Sequence, residues 1–348
     1  MSPTEFWYMQ DSVNGVVEAL KNPDAYDETA TKVEMLQTHI SNVFLTDRFV
    51  YKVKKPVDFG FLDFTTLEKR RHFCAEEIRR NTPLCGDMYI AVVPINRDIA
   101  RVIKVDGAGE SVEYAVKMKR MPDDAIMTLL LERNAVTEEH VDKIARLLSD
   151  FHRDAATGEG VDEYGSLSQV RENWVQNFEQ TQILRGGLLG TGEFDFVENR
   201  VTEFMKEKEN LFNQRVSDGQ VRECHGDVHS GNIFVLPNGK IYIFDAIEFF
   251  KGFSCSDVAS EVAFLAMDLE FQNRRDLAVR FIDKYIDYTG DSGVLELLDF
   301  YKCYRAYVRA KVSGFRLFEP GISELEKADI EKTVSAYFKF AHSYASRL

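Results

Sequence analysis

Hydrophobic and polar positions change rhythm about a third of the way along the chain. From Val33 to Val53 the β-formers cluster (Val33, Met35, Val43, Phe44, Leu45, Phe49, Val50, Tyr51 and Val53), with Thr46-Asp47-Arg48 as a tight connection, so the chain is expected to begin as a β-hairpin. A short helix over Val13 to Leu20, stopped by Asn22-Pro23-Asp24, is expected before it. Thr65 to Asn81 predicts a helix whose stripe carries Phe73, Glu77, Arg80 and Leu84. Three strands are then expected at Met88 to Pro94, Ile99 to Val105 and Ser111 to Met118, with turns at Asn96-Arg97-Asp98 and Asp106-Gly107-Ala108-Gly109. After Arg120-Met121-Pro122 the pattern turns helical. Ile144, Leu147, Leu148 and Phe151 share a face, and Val258 to Leu269, Leu277 to Tyr288 and Leu295 to Val312 read as further helices. The layout predicts an α+β chain with a β-rich part over 1–117, a boundary at 118–122 and a mainly helical part over 123–348.

Composition narrows the classes. The 348 residues are ample for two lobes with separate cores, and 45% apolar residues argues against disorder. A formal charge of −14 argues against non-specific nucleic-acid binding, which takes a basic surface. The five cysteines, Cys74, Cys85, Cys224, Cys255 and Cys303, are odd in number and never at C-x-x-C spacing, so neither a disulfide framework nor a zinc ribbon is expected. No basic segment followed by an apolar core opens the chain, and no apolar run approaches the ~20 residues of a membrane span. A cytoplasmic protein without a membrane partner is the expectation; nothing in the pattern selects an oligomeric state.

The candidate chemistry lies in His225-Gly226-Asp227-Val228-His229-Ser230-Gly231-Asn232, followed by the apolar run Ile241-Tyr242-Ile243-Phe244 that ends on Asp245. A carboxylate, an amide five residues on and a second carboxylate just after a strand are the parts that phosphoryl transfer from a magnesium nucleotide requires. One carboxylate orients the attacking hydroxyl and accepts its proton; the amide oxygen and the other carboxylate hold magnesium. The spacing resembles the protein-kinase catalytic loop H-R-D-L-x-x-x-N, with Asp245 in place of the metal-binding Asp of D-F-G. Gly226 replaces the Arg, and H-G-D-x-H-x-x-N resembles the aminoglycoside phosphotransferase and choline kinase family.

That resemblance implies a two-lobed protein-kinase-like fold, an ATP- or GTP- and Mg2+-dependent phosphotransferase, and a small molecule whose hydroxyl accepts the phosphate. It implies Asp227 as catalytic base, Asn232 and Asp245 as metal ligands, and His225 as a brace of the loop, with His229 at a phosphate, at the substrate or closing the loop. The stretch Phe49 to Phe64, with Leu67 to Phe73 after it, further resembles a bacterial group of uncharacterised aminoglycoside phosphotransferase-like proteins. Many of these carry a second, P-loop ATP-binding domain, and no Walker sequence occurs here, so that second activity is expected to be absent.

A cation for the nucleotide phosphates is sought in Tyr51-Lys52-Val53-Lys54-Lys55-Pro56. Lys52 and Lys54 share a strand face; Lys52, inside the apolar run, is the first candidate and Lys54 the second, with Lys54 and Lys55 read as solvated edge lysines. Glu77, on the interior stripe of its helix, is the expected partner of Lys52. No glycine-rich loop precedes the lysine strand; Gln37 to Phe44 is expected to cover the phosphates, with Ser41 and Asn42 as weaker nucleotide-site candidates. Met118, Lys119, Arg120 and Met121 are the expected hinge against the nucleotide base. Glu248 is a candidate extension of the metal or substrate site, Asp257 reads as a helix cap, and Asp154 to Ser168, Trp174, Asp268 and Glu270 are possible substrate contributors. Two other readings remain: a nucleotide-binding regulatory pseudokinase without turnover, suggested by the missing glycine loop and altered D-F-G, and a metallohydrolase built on His225, Asp227, His229 and Asp245.

Overall fold

The computed structural model describes residues 15–319 and 321–348. The chain forms two compact units, 1–125 with 242–250, and 126–241 with 251–348. The helix expected over Val13 to Leu20 lies partly outside the described residues; residues 15–20 are helical.

The first unit is built on a six-stranded sheet of β1 (Glu34–Gln37), β2 (Ser41–Leu45), β3 (Phe49–Lys54), β4 (Tyr89–Arg97), β5 (Ile103–Val105) and β6 (Glu110–Lys119), in the order β1-β2-β3-β6-β4-β5. The first β segment is therefore three strands and not one hairpin. Thr38 explains the extra turn: its hydroxyl accepts from the Ser41 and Ile40 amides and closes the chain within a few residues. The strand expected from Ile99 starts only at Ile103. Asp98 accepts from the Val102 amide and Arg101 turns at φ 66°, so Ile99 stands exposed on a loop. β3 is interior, paired with β2 on one side and β6 on the other. Helix α1 (Leu67–Cys85) is capped by Thr66 and runs through Pro83 to Gly86, further than the expected stop at Asn81. Its buried residues include Glu77, Arg80, Asn81 and Leu84. Phe44, Tyr51, Val53, Ile95 and Ala115 are among the core residues on the sheet.

The second unit is mainly helical. It contains α2 (Glu138–Asp154), α3 (Leu167–Thr181), α4 (Val258–Phe271), α5 (Arg275–Thr289), α6 (Val294–Phe315) and α7 (Glu324–Ala345). In α4 every residue from Val258 to Leu269 is buried, which marks a central helix and not an amphipathic surface one. Asp257 caps it by accepting from the Ala259 amide at 2.8 Å. The same carboxylate takes both Nε and Nη2 of Arg215, at 2.7 and 2.6 Å. Trp174 of α3 packs among Phe178, Phe300, Tyr304 and Tyr307, as core and not as an exposed stacking platform. Among the described residues no helix is long and apolar enough to cross a membrane.

Candidate active site

In the first unit β3 and α1 bring two lysines onto one carboxylate. Lys52 Nζ lies 2.9 Å from Glu77 Oε1, off the hydrogen-bonding direction, and Lys54 Nζ donates to Oε2 at 2.8 Å. Burial alone would raise the Glu77 carboxyl; the two ammonium groups outweigh it and hold it down to about 2. Lys52 also donates to Asp245 Oδ1 at 2.6 Å, and Lys54 to Glu248 Oε1. Burial lowers the Lys52 ammonium, yet Asp245 and Glu77 carry it well above the ordinary lysine value. Burial pushes Glu248 up, and Lys54 offsets only part of that.

One expectation is corrected by this geometry. Lys54 is buried and not a solvated edge lysine, because β3 is flanked on both sides and its ammonium meets Glu77, Glu248 and the Phe64 ring. Glu248, the candidate extension of the metal or substrate site, forms an ion pair with Lys54 through one oxygen. Ser41 and Asn42 lie within β2, opposite Lys54 and Val53, and both are buried; Gln37 to Phe44 is the end of β1, a turn at residues 38–40 and β2.

Asp245 sits at φ 67°, a left-handed conformation that Asp tolerates better than most residues. The chain around it is held by α1 and β4. Ala246 N donates to Asn81 Oδ1 at 2.9 Å, Cys85 Sγ to Ile243 O at 2.9 Å, and Asp245 N to Tyr89 Oη at 3.3 Å. At the segment expected as a hinge, Met118 and Lys119 end β6. The Lys119 and Arg120 amides donate to Met88 O and Arg48 O, both at 2.9 Å. Lys119 pairs with Asp87, and Arg120 reaches Thr46 O and Asp123.

In the second unit the loop from His225 to Asn232 is held from behind by α4. Glu261 accepts from the His225 amide at 3.0 Å and the Gly226 amide at 2.7 Å, and it meets His152 Nε2 at 3.0 Å. His152 Nδ1 faces the Tyr285 hydroxyl at 2.7 Å, so both ring nitrogens have a partner. Burial would raise Glu261, but the His152 bond and charge and the Gly226 amide hold it at about 2. Gly226 turns at φ 91° and offers its carbonyl to Arg305 at 3.1 Å, a conformation that the Arg of the kinase pattern would adopt only with strain. Asp268 Oδ2 accepts from the Ser230 amide at 2.8 Å, so this residue, a substrate candidate by sequence, is a loop brace. Glu270, its companion, is taken by Lys302 and Tyr344.

The loop's own side chains close on each other. Asn232 Nδ2 donates to Asp227 O at 3.0 Å and Asp227 Oδ2 at 2.9 Å, which turns the amide oxygen away from Asp227. His225 Nδ1 accepts from the Asp227 amide and His229 Nδ1 from the Gly231 amide. Asp227 keeps 36% of its side chain exposed. Burial raises its carboxyl, but His229, with Nε2 at 3.6 Å, Arg309 and His225 bring it down to about 2. Among the described residues His225, Asp227 and His229 form no cluster that would hold a metal; the dense group is His152, Cys224 and Glu261, already bonded internally. Sequence reasoning missed Glu261, His152, Arg305 and Arg309. A carboxylate in the first turn of a largely apolar helix, four residues after the cap Asp257, was the available signal for Glu261.

Residues 93–297 match the phosphotransferase enzyme family, and the chain belongs to it. An uncharacterised protein of Mycobacterium tuberculosis is 30% identical over 311 residues, which is 89% of this chain and 60% of that one. The chain thus spans about 60% of the length of the curated relatives it matches. A choline/ethanolamine kinase family protein from Mesorhizobium loti superposes with a TM-score of 0.53 at 11% identity, covering 98% of this chain and 100% of its own. An aminoglycoside phosphotransferase from Alicyclobacillus acidocaldarius gives 0.50 at 12% identity, covering 93% of each chain. The fold is the two-lobed, protein-kinase-like one, with a β-rich N-lobe and a helical C-lobe.

Proposed function

We propose that the protein transfers the terminal phosphoryl group of ATP or GTP to a hydroxyl of a small molecule. The observation that carries this reading is the loop geometry: Asp227 half-exposed, oriented by Asn232, on a backbone pinned by Glu261 and Asp268. In the reaction the acceptor oxygen bonds to phosphorus, the bond to the bridging oxygen of the nucleotide breaks, and the hydroxyl proton passes to Asp227. A carboxylate held near 2 is a weak base, so its work is to orient the hydroxyl and take the proton late. His225 braces the loop and His229 tunes Asp227. Lys52, aligned by Glu77, binds the nucleotide phosphates; Met118 to Met121 receive the base, with the Lys119 and Arg120 amides already engaged.

The donor set suits magnesium. Asn232 has its amide oxygen turned away from Asp227, and Lys52 takes only one oxygen of Asp245. Asn232 and Asp245 would hold the ion, which supplies charge neutralisation at the phosphates. The test is magnesium-dependent nucleotide binding, then turnover against a broad panel of hydroxylated metabolites, with Asp227→Ala and Asp245→Ala alongside. Asp227→Ala should lose at least about 10²-fold in kcat while still binding nucleotide. Equal activity in wild type and Asp227→Ala would sink the assignment. Nucleotide binding without turnover of any acceptor and without background hydrolysis would make the protein a regulator instead.

A further inference from the structure

α6 presents a row of basic side chains to the 225–232 loop and to α4, and one of them is uncommitted. Lys302 is paired with Glu270 at 2.7 Å. Arg305 gives Nη1 to Gly226 O at 3.1 Å and Nε to Ser260 O at 3.2 Å. Arg309 follows Arg305 by four residues, so it stands one turn further along the same helix face. Among the described residues no carboxylate lies within ion-pair distance of it. Its guanidinium lies 5.6 Å from the centroid of the Tyr337 ring and faces the Tyr337 hydroxyl.

The surroundings fix that position. Tyr337 of α7 stacks on Phe271 of α4 with ring centroids 3.9 Å apart. Asp268, one turn before Phe271, holds the Ser230 amide of the loop at 2.8 Å. Arg309 therefore stands where α4, α6 and α7 form a wall that meets the loop. It is half-buried, and its charge is felt at Asp227, which keeps 36% of its side chain exposed. Asp227 and Asp268 are the acids that face it. Asp227 gives Oδ2 to Asn232 and Asp268 gives Oδ2 to Ser230, and neither closes on the guanidinium. The N–H groups of a guanidinium form a planar fork that fits a carboxylate or phosphate through two parallel bonds. An aromatic face and one hydroxyl satisfy only part of that capacity.

We propose that Arg309 binds an acidic group of the phosphate acceptor, so that the acceptor is a hydroxylated carboxylate or phosphate and not an amine. The inference rests on the phosphotransferase reading above. In that reading the nucleotide phosphates fall to Lys52 and the ion to Asn232 and Asp245, which leaves Arg309 for the other reactant. A cationic acceptor brought to Asp227 would meet an uncompensated guanidinium of like charge. An anionic one is anchored by it, with a hydroxyl left for Asp227.

The test uses the full chain and hydroxylated compounds sorted by charge: sugar acids, hydroxy acids and sugar phosphates; neutral sugars and polyols; amino sugars and amino alcohols. Each is assayed for turnover with magnesium ATP and for saturable binding by calorimetry with magnesium ADP present. Turnover and binding are expected within the anionic set. Arg309→Met keeps the stem on Tyr337 and should raise the acceptor KM at least about tenfold, with ADP affinity unchanged and Arg309→Lys recovering part of the loss. Arg309→Gln takes its place should the methionine variant not fold. Turnover confined to the neutral or cationic sets overturns the proposal and leaves the phosphotransferase reading standing. So does an Arg309→Met enzyme that loses kcat at an unchanged acceptor KM, which would put the arginine on the transferring phosphoryl group. Binding of an anionic compound that Arg309→Met abolishes, without turnover of any compound, upholds the anion site and refutes the phosphotransferase reading. An anionic set that is neither bound nor turned over overturns the proposal.

Discussion

Lys54→Met should be among the most damaging single changes in the first unit. The methionine fills much of the lysine stem but removes a charge that serves two buried carboxylates at once. Glu77 keeps Lys52, whereas the Glu248 side chain, 4% exposed, is left without a cation. Breaking a buried ion pair by removing one partner costs about 3–5 kcal/mol. For a unit of this size that corresponds to a fall in Tm of roughly 10–15 °C. The pH dependence is a sharper check. Glu248 is already pushed up by burial, and without Lys54 it rises further. A carboxyl raised in the folded state favours folding at low pH and loses that contribution as pH rises through its folded value. The deficit of Lys54→Met should therefore be smaller at pH 5 than at pH 8, measured by urea denaturation. Glu248→Gln in the same chain should recover more than half of the loss. A Lys54→Met protein within about 0.5 kcal/mol of wild type would refute the reasoning, as would strict additivity in the double variant.

Other consequences can be checked in the same way. Glu261→Gln should cost roughly 3 kcal/mol, since it sets amide hydrogens against two backbone donors and His152. Because Glu261 is held at about 2, its contribution is complete above the ordinary carboxyl value and lost as pH falls toward 2. The gap between wild type and Glu261→Gln should therefore narrow from pH 6 to pH 3 in denaturant titrations. Asp257→Ala removes a helix cap and two of the charged hydrogen bonds of Arg215, which keeps Asp291, with an expected loss of about 2–4 kcal/mol in chemical denaturation. Gly226→Ala places a Cβ at φ 91° and should lower stability by about 1–2 kcal/mol, visible in thermal melts.

What could be read from the sequence follows chain distance. His225 to Asn232 is contiguous, so its spacing alone points to its chemistry, and Asn232 does turn its amide to Asp227. Glu77 could be chosen from helix period because only one face of α1 meets the sheet. Lys54 was misread because the partner that accounts for its burial, Glu248, is 194 residues away. Asp268 and Glu270 looked like free acids for the same reason: Ser230, Lys302 and Tyr344 are distant in sequence. The exact ends of β1 and β2 around Ser41 and Asn42 were not legible because the side-chain closure at Thr38 has no periodic signature.

The segment from Tyr242 to Phe250 belongs to the first unit, although the chain on both sides of it belongs to the second. The backbone therefore passes from one unit to the other at 125/126, 241/242 and 250/251. A nick after Ala125 would not yield two independent fragments. The larger piece would still own the strap that Lys54, Asn81 and Cys85 grip. Co-expressed halves cut at that point should assemble without a linker. Chimaeras that exchange only the N-terminal residues between relatives would have to carry residues 242–250 with them.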